Sequence, residues 1–150
     1  GVLMKNHLNF NIRKTVQAIN YFALKNGNNE ISRLKFLKLL FFVDKYLSRN
    51  KGKMLSNDDY YAMKLGPVAS TVCNFKEIDD KKLIFKTISP EMAEYYNEYL
   101  EGNNEFFKSK KVPDLKVFSI AEKKVLDLIW ARFGNLSHSV LVDKTHKHPE

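Results

Sequence analysis

The stretch from Arg33 to Leu47 restricts what this chain can fold into more than any other. At helical spacing, Leu34, Leu37 and Phe41 form one apolar stripe, and Phe36, Leu40, Val43 and Leu47 form a second. Together they cover much more than one face, and a helix apolar nearly all round belongs inside a fold. The expectation is a compact, single-domain, mainly α fold spanning 1–150 around a buried central helix at about 33–47. Lys35, Lys38, Asp44 and Lys45 interrupt the run, so it falls short of the roughly 18 apolar residues that mark a membrane span.

Other signals surround that helix. Ile12, Val16, Ile19 and Ala23 follow helical spacing, with Gly27 placed as a left-handed C-terminal cap. Ser32 caps the 33–47 helix, and Asn50 to Asn57 reads as an exposed polar connection. Residues 59–64 show no helical stripe and read as extended, and 83–88 is the best strand candidate, so a small β element is expected from these two. Pro67 fits the first turn of a short helix whose apolar face holds Val68, Val72 and Phe75. Ser89-Pro90-Glu91 is a cap, a first-turn proline and a first-turn acid. Ser119 and Glu122 form a capping box before a helix burying Val125, Leu128, Ile129 and Phe133 and ending at Gly134; Ser137 caps a final helix.

A chain of 150 residues is long enough for its own hydrophobic core. A 44% hydrophobic and 28% charged composition is that of an ordinary globular protein. The N-terminal residues lack a signal-like apolar segment, and residues 1–3, ahead of the internal Met4, are set aside from the argument. The single cysteine, Cys73, cannot form an intramolecular disulfide, which fits the cytoplasm. With 25 Lys and Arg against 17 Asp and Glu, the net charge of +8 favours an acidic protein partner or nucleic acid. The cations are spread along the chain, and the densest cluster is only Lys108, Lys110 and Lys111. A spread-out excess does not define a groove. At most weak, non-specific nucleic-acid binding follows from it.

No catalytic pattern emerges, and the expectation is a protein that is not an enzyme. His138, His146 and His148 lie near the C-terminus and His7 far away, without the paired spacing of a metal site. Cys73 beside Val72 and Phe75 reads as a small buried thiol. Ser137 and Ser139 lack nucleophile-elbow glycines, and Asp58-Asp59 and Asp79-Asp80 sit in turns where carboxylates cap or meet water. There is no phosphate-binding loop or dinucleotide fingerprint, so no cofactor is expected. A helix-turn-helix pairing of 12–25 with 33–47 fails because the second member is too apolar to face a groove. Tyr60-Tyr61-x-Met63-Lys64 is a faint echo of an RNA-binding strand.

Three blocks in order carry a more specific signal: Leu34 to Phe42; Tyr61-Ala62-Met63-Lys64-Leu65-Gly66-Pro67-Val68; and Ser119-x-x-Glu122 through Phe133-Gly134, Leu136-Ser137 and Thr145-His146-x-x-Pro149. Together they resemble the Panacea domain family of SocA-like antitoxins. Leu65 stands where that family usually carries tyrosine, and Glu150 where a closing tryptophan is common. The resemblance implies a cytoplasmic bacterial or phage-encoded protein that binds and neutralises a cognate toxin. In one branch it also implies an adaptor that delivers the toxin to a Clp-type protease. No catalytic residue comes with it. Within that reading the expected partner-binding residues are Lys64, Gly66, Pro67 and Val68, with Thr145 and His146 structural. The runner-up is a nucleic-acid-binding regulator using the basic surface.

Overall fold

Capping side chains set where most of the helices begin. The computed structural model describes residues 2–4, 9–82 and 84–146. The Asn11 side chain accepts from the Lys14 amide (2.9 Å) and opens α1 (Ile12–Asn26). Gly27 follows with a positive φ of 86°. Ser32, the last residue of strand β2 (Glu30–Ser32), accepts from the Lys35 amide (2.9 Å) and opens α2 (Arg33–Lys51). Gly52 closes α2 in the left-handed region, its N–H donating to the Ser48 carbonyl.

Beyond it come β3 (Tyr60–Met63), β4 (Gly66–Ala69) and the short helices α3 (Ser70–Cys73) and α4 (Lys76–Asp79). Ser89 and Pro90 open α5 (Pro90–Tyr99), which runs into β5 (Leu100–Gly102) and β6 (Phe106–Ser109). After a 3-10 turn at Leu115–Val117, the capping box of Ser119 and Glu122 starts α6 (Ile120–Phe133), and α7 (His138–His146) closes the described chain.

The fold is mainly helical, with two small antiparallel sheets. In one, β3 lies between β4 and β1 (Val2–Met4); in the other, β6 lies between β2 and β5. Residues 2 and 3, set aside on the sequence, therefore take part in a strand that pairs Val2 with Tyr61 and Met4 with Tyr60.

Along α2, Phe36, Leu39, Leu40, Phe41 and Val43 are fully buried, while Leu34 is exposed. The helix packs against α6, α7, β4 and β2, and α1 packs against α5, β2 and β6. Aromatic rings join these layers: Phe22 lies 5.5 Å from Trp130, and Phe42 stacks on Phe133 at 4.3 Å. Leu40→Ala is expected to cost about 2–5 kcal/mol, as truncation of a buried leucine does, measured by urea unfolding.

The structure corrects the sequence reading in several places. Residues 84–88 form no strand, and Ile84 points into solvent. Strand propensity records how well a side chain fits a paired, half-buried pleat, and among the described residues no strand pairs with this segment. Leu83 lies outside the described residues, as do His7, His148, Pro149 and Glu150. Pro67 sits in β4 and not in a helix, paired with Ala62 at the sheet edge, where a missing N–H is tolerated. The 50–57 connection is not wholly exposed: Met54, Leu55 and Ser56 turn into the core. In α6, Leu126 is buried where Leu128 was expected, and Leu128 lies at the surface. Gly134 does end α6 as expected, with right-handed torsions, and a Cβ there would meet the Trp130 ring at 2.4 Å.

Candidate functional site

The second sequence block folds into a hairpin of β3 and β4, in register Tyr60 with Ala69, Tyr61 with Val68, Ala62 with Pro67 and Met63 with Gly66. Lys64 and Leu65 form the connection. Neither has a positive φ; the unusual torsion falls on Gly66, at 117°. Side chains alternate across a strand, so Tyr61 and Met63 share one face, joined from β4 by half-buried Val68. Tyr61 is 41% exposed, Met63 59% and Leu65 49%. Lys64 is exposed beside them. The hairpin thus shows solvent a small apolar surface with a cation at its tip.

Its turn is held from two directions. Lys38, 1% exposed on α2, donates from Nζ to the Leu65 carbonyl at 2.8 Å. Burial holds its ammonium below the usual lysine range. Thr145, fully buried on α7, faces the same point, because a Cβ on Gly66 would lie 2.7 Å from its Oγ1 and 3.3 Å from Lys38 Nζ. Lys38, Gly66 and Thr145 come from the three separate sequence blocks and meet in one place. Pro67 is buried beside them. Among the expected binding residues, then, Lys64 is exposed and Val68 half-exposed, whereas Gly66 and Pro67 lie within the support. His146 ends α7 next to Thr145.

A second anchor holds the far end of β3. Asp44 is fully buried and accepts hydrogen bonds from the amides of Leu55 (2.7 Å) and Ser56 (3.0 Å), the Ser56 hydroxyl and the Tyr60 hydroxyl (2.8 Å). Burial still dominates and pushes its carboxyl up to about 6. Asp58 caps α3, accepting from the Thr71 and Val72 amides. Asp79 departs from the capping or solvated role read from the sequence. It forms a buried ion pair with Arg33 and accepts from the Tyr96 hydroxyl at 2.7 Å.

Burial pushes the Cys73 thiol up to about 11, so the sulfur is protonated at neutral pH. Among the described residues no three His, Cys, Asp or Glu side chains gather closely enough to hold a metal ion. No helix among them is long and apolar enough to cross a membrane.

Sequence reasoning passed over Lys38 as a site residue, although a lysine inside an otherwise apolar helix was the available signal. It also missed a convergence of cations. The linear cluster is partly engaged elsewhere, with Lys111 paired to Glu98 (2.6 Å) and Lys110 bonded to the Asn97 carbonyl. Lys45, Arg49, Arg132 and Lys144 instead come together from α2, α6 and α7 around one groove.

Residues 36–150 match the family model described as antitoxin SocA-like, Panacea domain. No curated protein and no solved structure shows significant similarity to the chain.

Proposed function

Because the chain belongs to the SocA-like antitoxins of the Panacea domain, we propose that it binds a cognate toxin protein in the cytoplasm and holds it inactive by occlusion. The contact surface is the outer face of the β3–β4 hairpin. Tyr61, Met63, Leu65 and Val68 supply apolar contact, with Lys64 at the rim. Gly66, Pro67, Lys38 and Thr145 hold that surface in place. The action is stoichiometric, with no chemical step and no cofactor.

One observation carries the reading: an exposed apolar tip held from beneath by two buried side chains, Lys38 and Thr145. Exposed apolar surface costs solubility unless a partner covers it, and loops on rigid scaffolds often bind. A preformed tip also spends little free energy on ordering when the partner arrives. Delivery of the toxin to a Clp-type protease would use the same contact, and adding purified protease to the complex separates delivery from occlusion.

Co-expression tests the reading. The product of the adjacent reading frame should arrest growth alone and be harmless beside this chain. Met63→Asp and Lys64→Glu should abolish rescue while leaving the far-ultraviolet circular dichroism unchanged. Rescue undiminished by both, and by Val68→Asp as well, would remove the hairpin from the contact.

A further inference from the structure

Between the start of α2, helix α3 and the β5–β6 turn lies a cavity of about 470 Å³. Leu37, Val72 and Phe107 form its buried apolar floor, and Leu34, 48% exposed, stands at its mouth. Leu34 lies one turn before Lys38, whose Nζ holds the Leu65 carbonyl, and α3 follows β4 without a break. Pocket and hairpin are therefore built on the same elements. Among the described residues, the exposed charges lining the pocket are Lys76 of α4 and Glu105 of the β5–β6 turn, of opposite sign. Arg33 lines it too, but its guanidinium pairs with Asp79 and lies over the Phe107 ring.

We propose that this pocket seats an apolar side chain of a protein partner, carried on a segment with an acidic residue on one side of it and a basic residue on the other. Leu34 gives the reason for an apolar occupant. A large aliphatic side chain left half in water at the mouth of an apolar cavity gains from being covered. Interfaces draw much of their affinity from one such anchor set in a pocket. The rim decides what flanks the anchor: an acid meets Lys76 and a base meets Glu105, whereas the reverse placement sets like charges together.

The same lining argues against nucleic acid as the occupant. Glu105 repels phosphate, and Phe107 is 1% exposed with the Arg33 guanidinium 4.4 Å from its ring centroid, so it offers no open platform to a base. Single-strand binding normally combines a basic track with several stacking rings. A polyacidic peptide meets the repulsion of Glu105 as well, and a polybasic one that of Lys76. A segment of mixed charge satisfies both.

For its biological source the segment rests on the toxin reading above, as a stretch of the toxin, but its chemistry can be tested without the toxin. The heptapeptide Glu-Glu-Ala-Phe-Ala-Lys-Lys, its counterparts with Glu or Lys at all four charged positions, and an oligothymidylate are titrated into isotope-labelled protein at physiological salt. Binding is read from the amide NMR shifts of Leu34, Leu37, Val72 and Phe107, which separates the pocket from non-specific attraction to a +8 chain. The expected result is saturable shifts at these amides, with the mixed-charge peptide bound most tightly. Glu105→Lys should turn the preference towards the all-Glu peptide, and Lys76→Glu towards the all-Lys peptide. Leu34→Asp should weaken the mixed-charge peptide about tenfold or more, as loss of an anchor contact does, while unfolding at the wild-type urea concentration. Absence of shifts at the pocket, or a preference unmoved by both charge reversals, overturns the proposal. Oligothymidylate shifting the same amides at lower concentration than the peptides also overturns it and assigns the pocket to nucleic acid. Leu34→Asp that loses the peptide yet binds the adjacent-frame product as the wild type does overturns the assignment of the segment to the toxin. Failure of the wild type to bind that product, with the peptide results as expected, counts against the toxin reading and leaves the pocket standing.

Discussion

Gly66→Ala is expected to lower stability by about 2–5 kcal/mol, combining backbone strain with overpacking. At φ 117° a Cβ is strained whatever the space around it, and this Cβ also arrives 2.7 Å from Thr145 Oγ1. Neither neighbour can yield cheaply. Thr145 is fully buried, and Lys38 is tied to the Leu65 carbonyl one residue away. Urea unfolding measures the loss, and a double-mutant cycle apportions it. Adding Thr145→Ala should recover the steric part and leave the torsional part. A Gly66→Ala protein as stable as the wild type would mean that Gly66, Lys38 and Thr145 do not pack as described.

The second large effect is a pH dependence traced to Asp44. Its carboxyl is held up to about 6 in the folded chain, against an ordinary aspartate value of about 3.9 when unfolded. The folded state therefore binds the proton more tightly than the unfolded state. The stabilisation is complete below the unfolded value and is lost as pH rises through about 6. Asp44→Asn cannot titrate, so subtracting its unfolding free energy from that of the wild type isolates the group. The wild type should lose roughly 2–3 kcal/mol relative to the variant between pH 4 and pH 7. A flat difference would show that the four donors around Asp44 compensate its burial fully.

Much of this architecture was legible because local chemistry and tertiary packing agree. The caps at Ser32, Ser89 and Ser119 stand where the sequence placed them, each accepting from the amide three residues on. The strand at Tyr60–Met63 falls within the expected 59–64. The failures share a cause. A strand needs a partner, and the sequence does not reveal that no described strand pairs with 84–88, nor that Glu30–Ser32 pairs with Phe106–Ser109 across more than seventy positions. The support of the hairpin was hidden for the same reason. Lys38, Gly66 and Thr145 look unrelated along the chain, and only the packing of α2, β4 and α7 joins them. The basic groove was hidden likewise. Cations spread through the sequence do not themselves define a groove, yet helical spacing brings Lys45 and Arg49 onto one face and folding adds Arg132 and Lys144.

The central claim is that the hairpin tip is the toxin contact, and a direct titration of purified adjacent-frame product against this chain tests it. Calorimetry should give saturable, stoichiometric binding to the wild type. Tyr61→Asp/Met63→Asp should weaken it by about 30-fold or more, as loss of an interface hot spot does, while unfolding at the same urea concentration. A variant that binds the partner as tightly as the wild type would contradict the account and move the contact away from the hairpin.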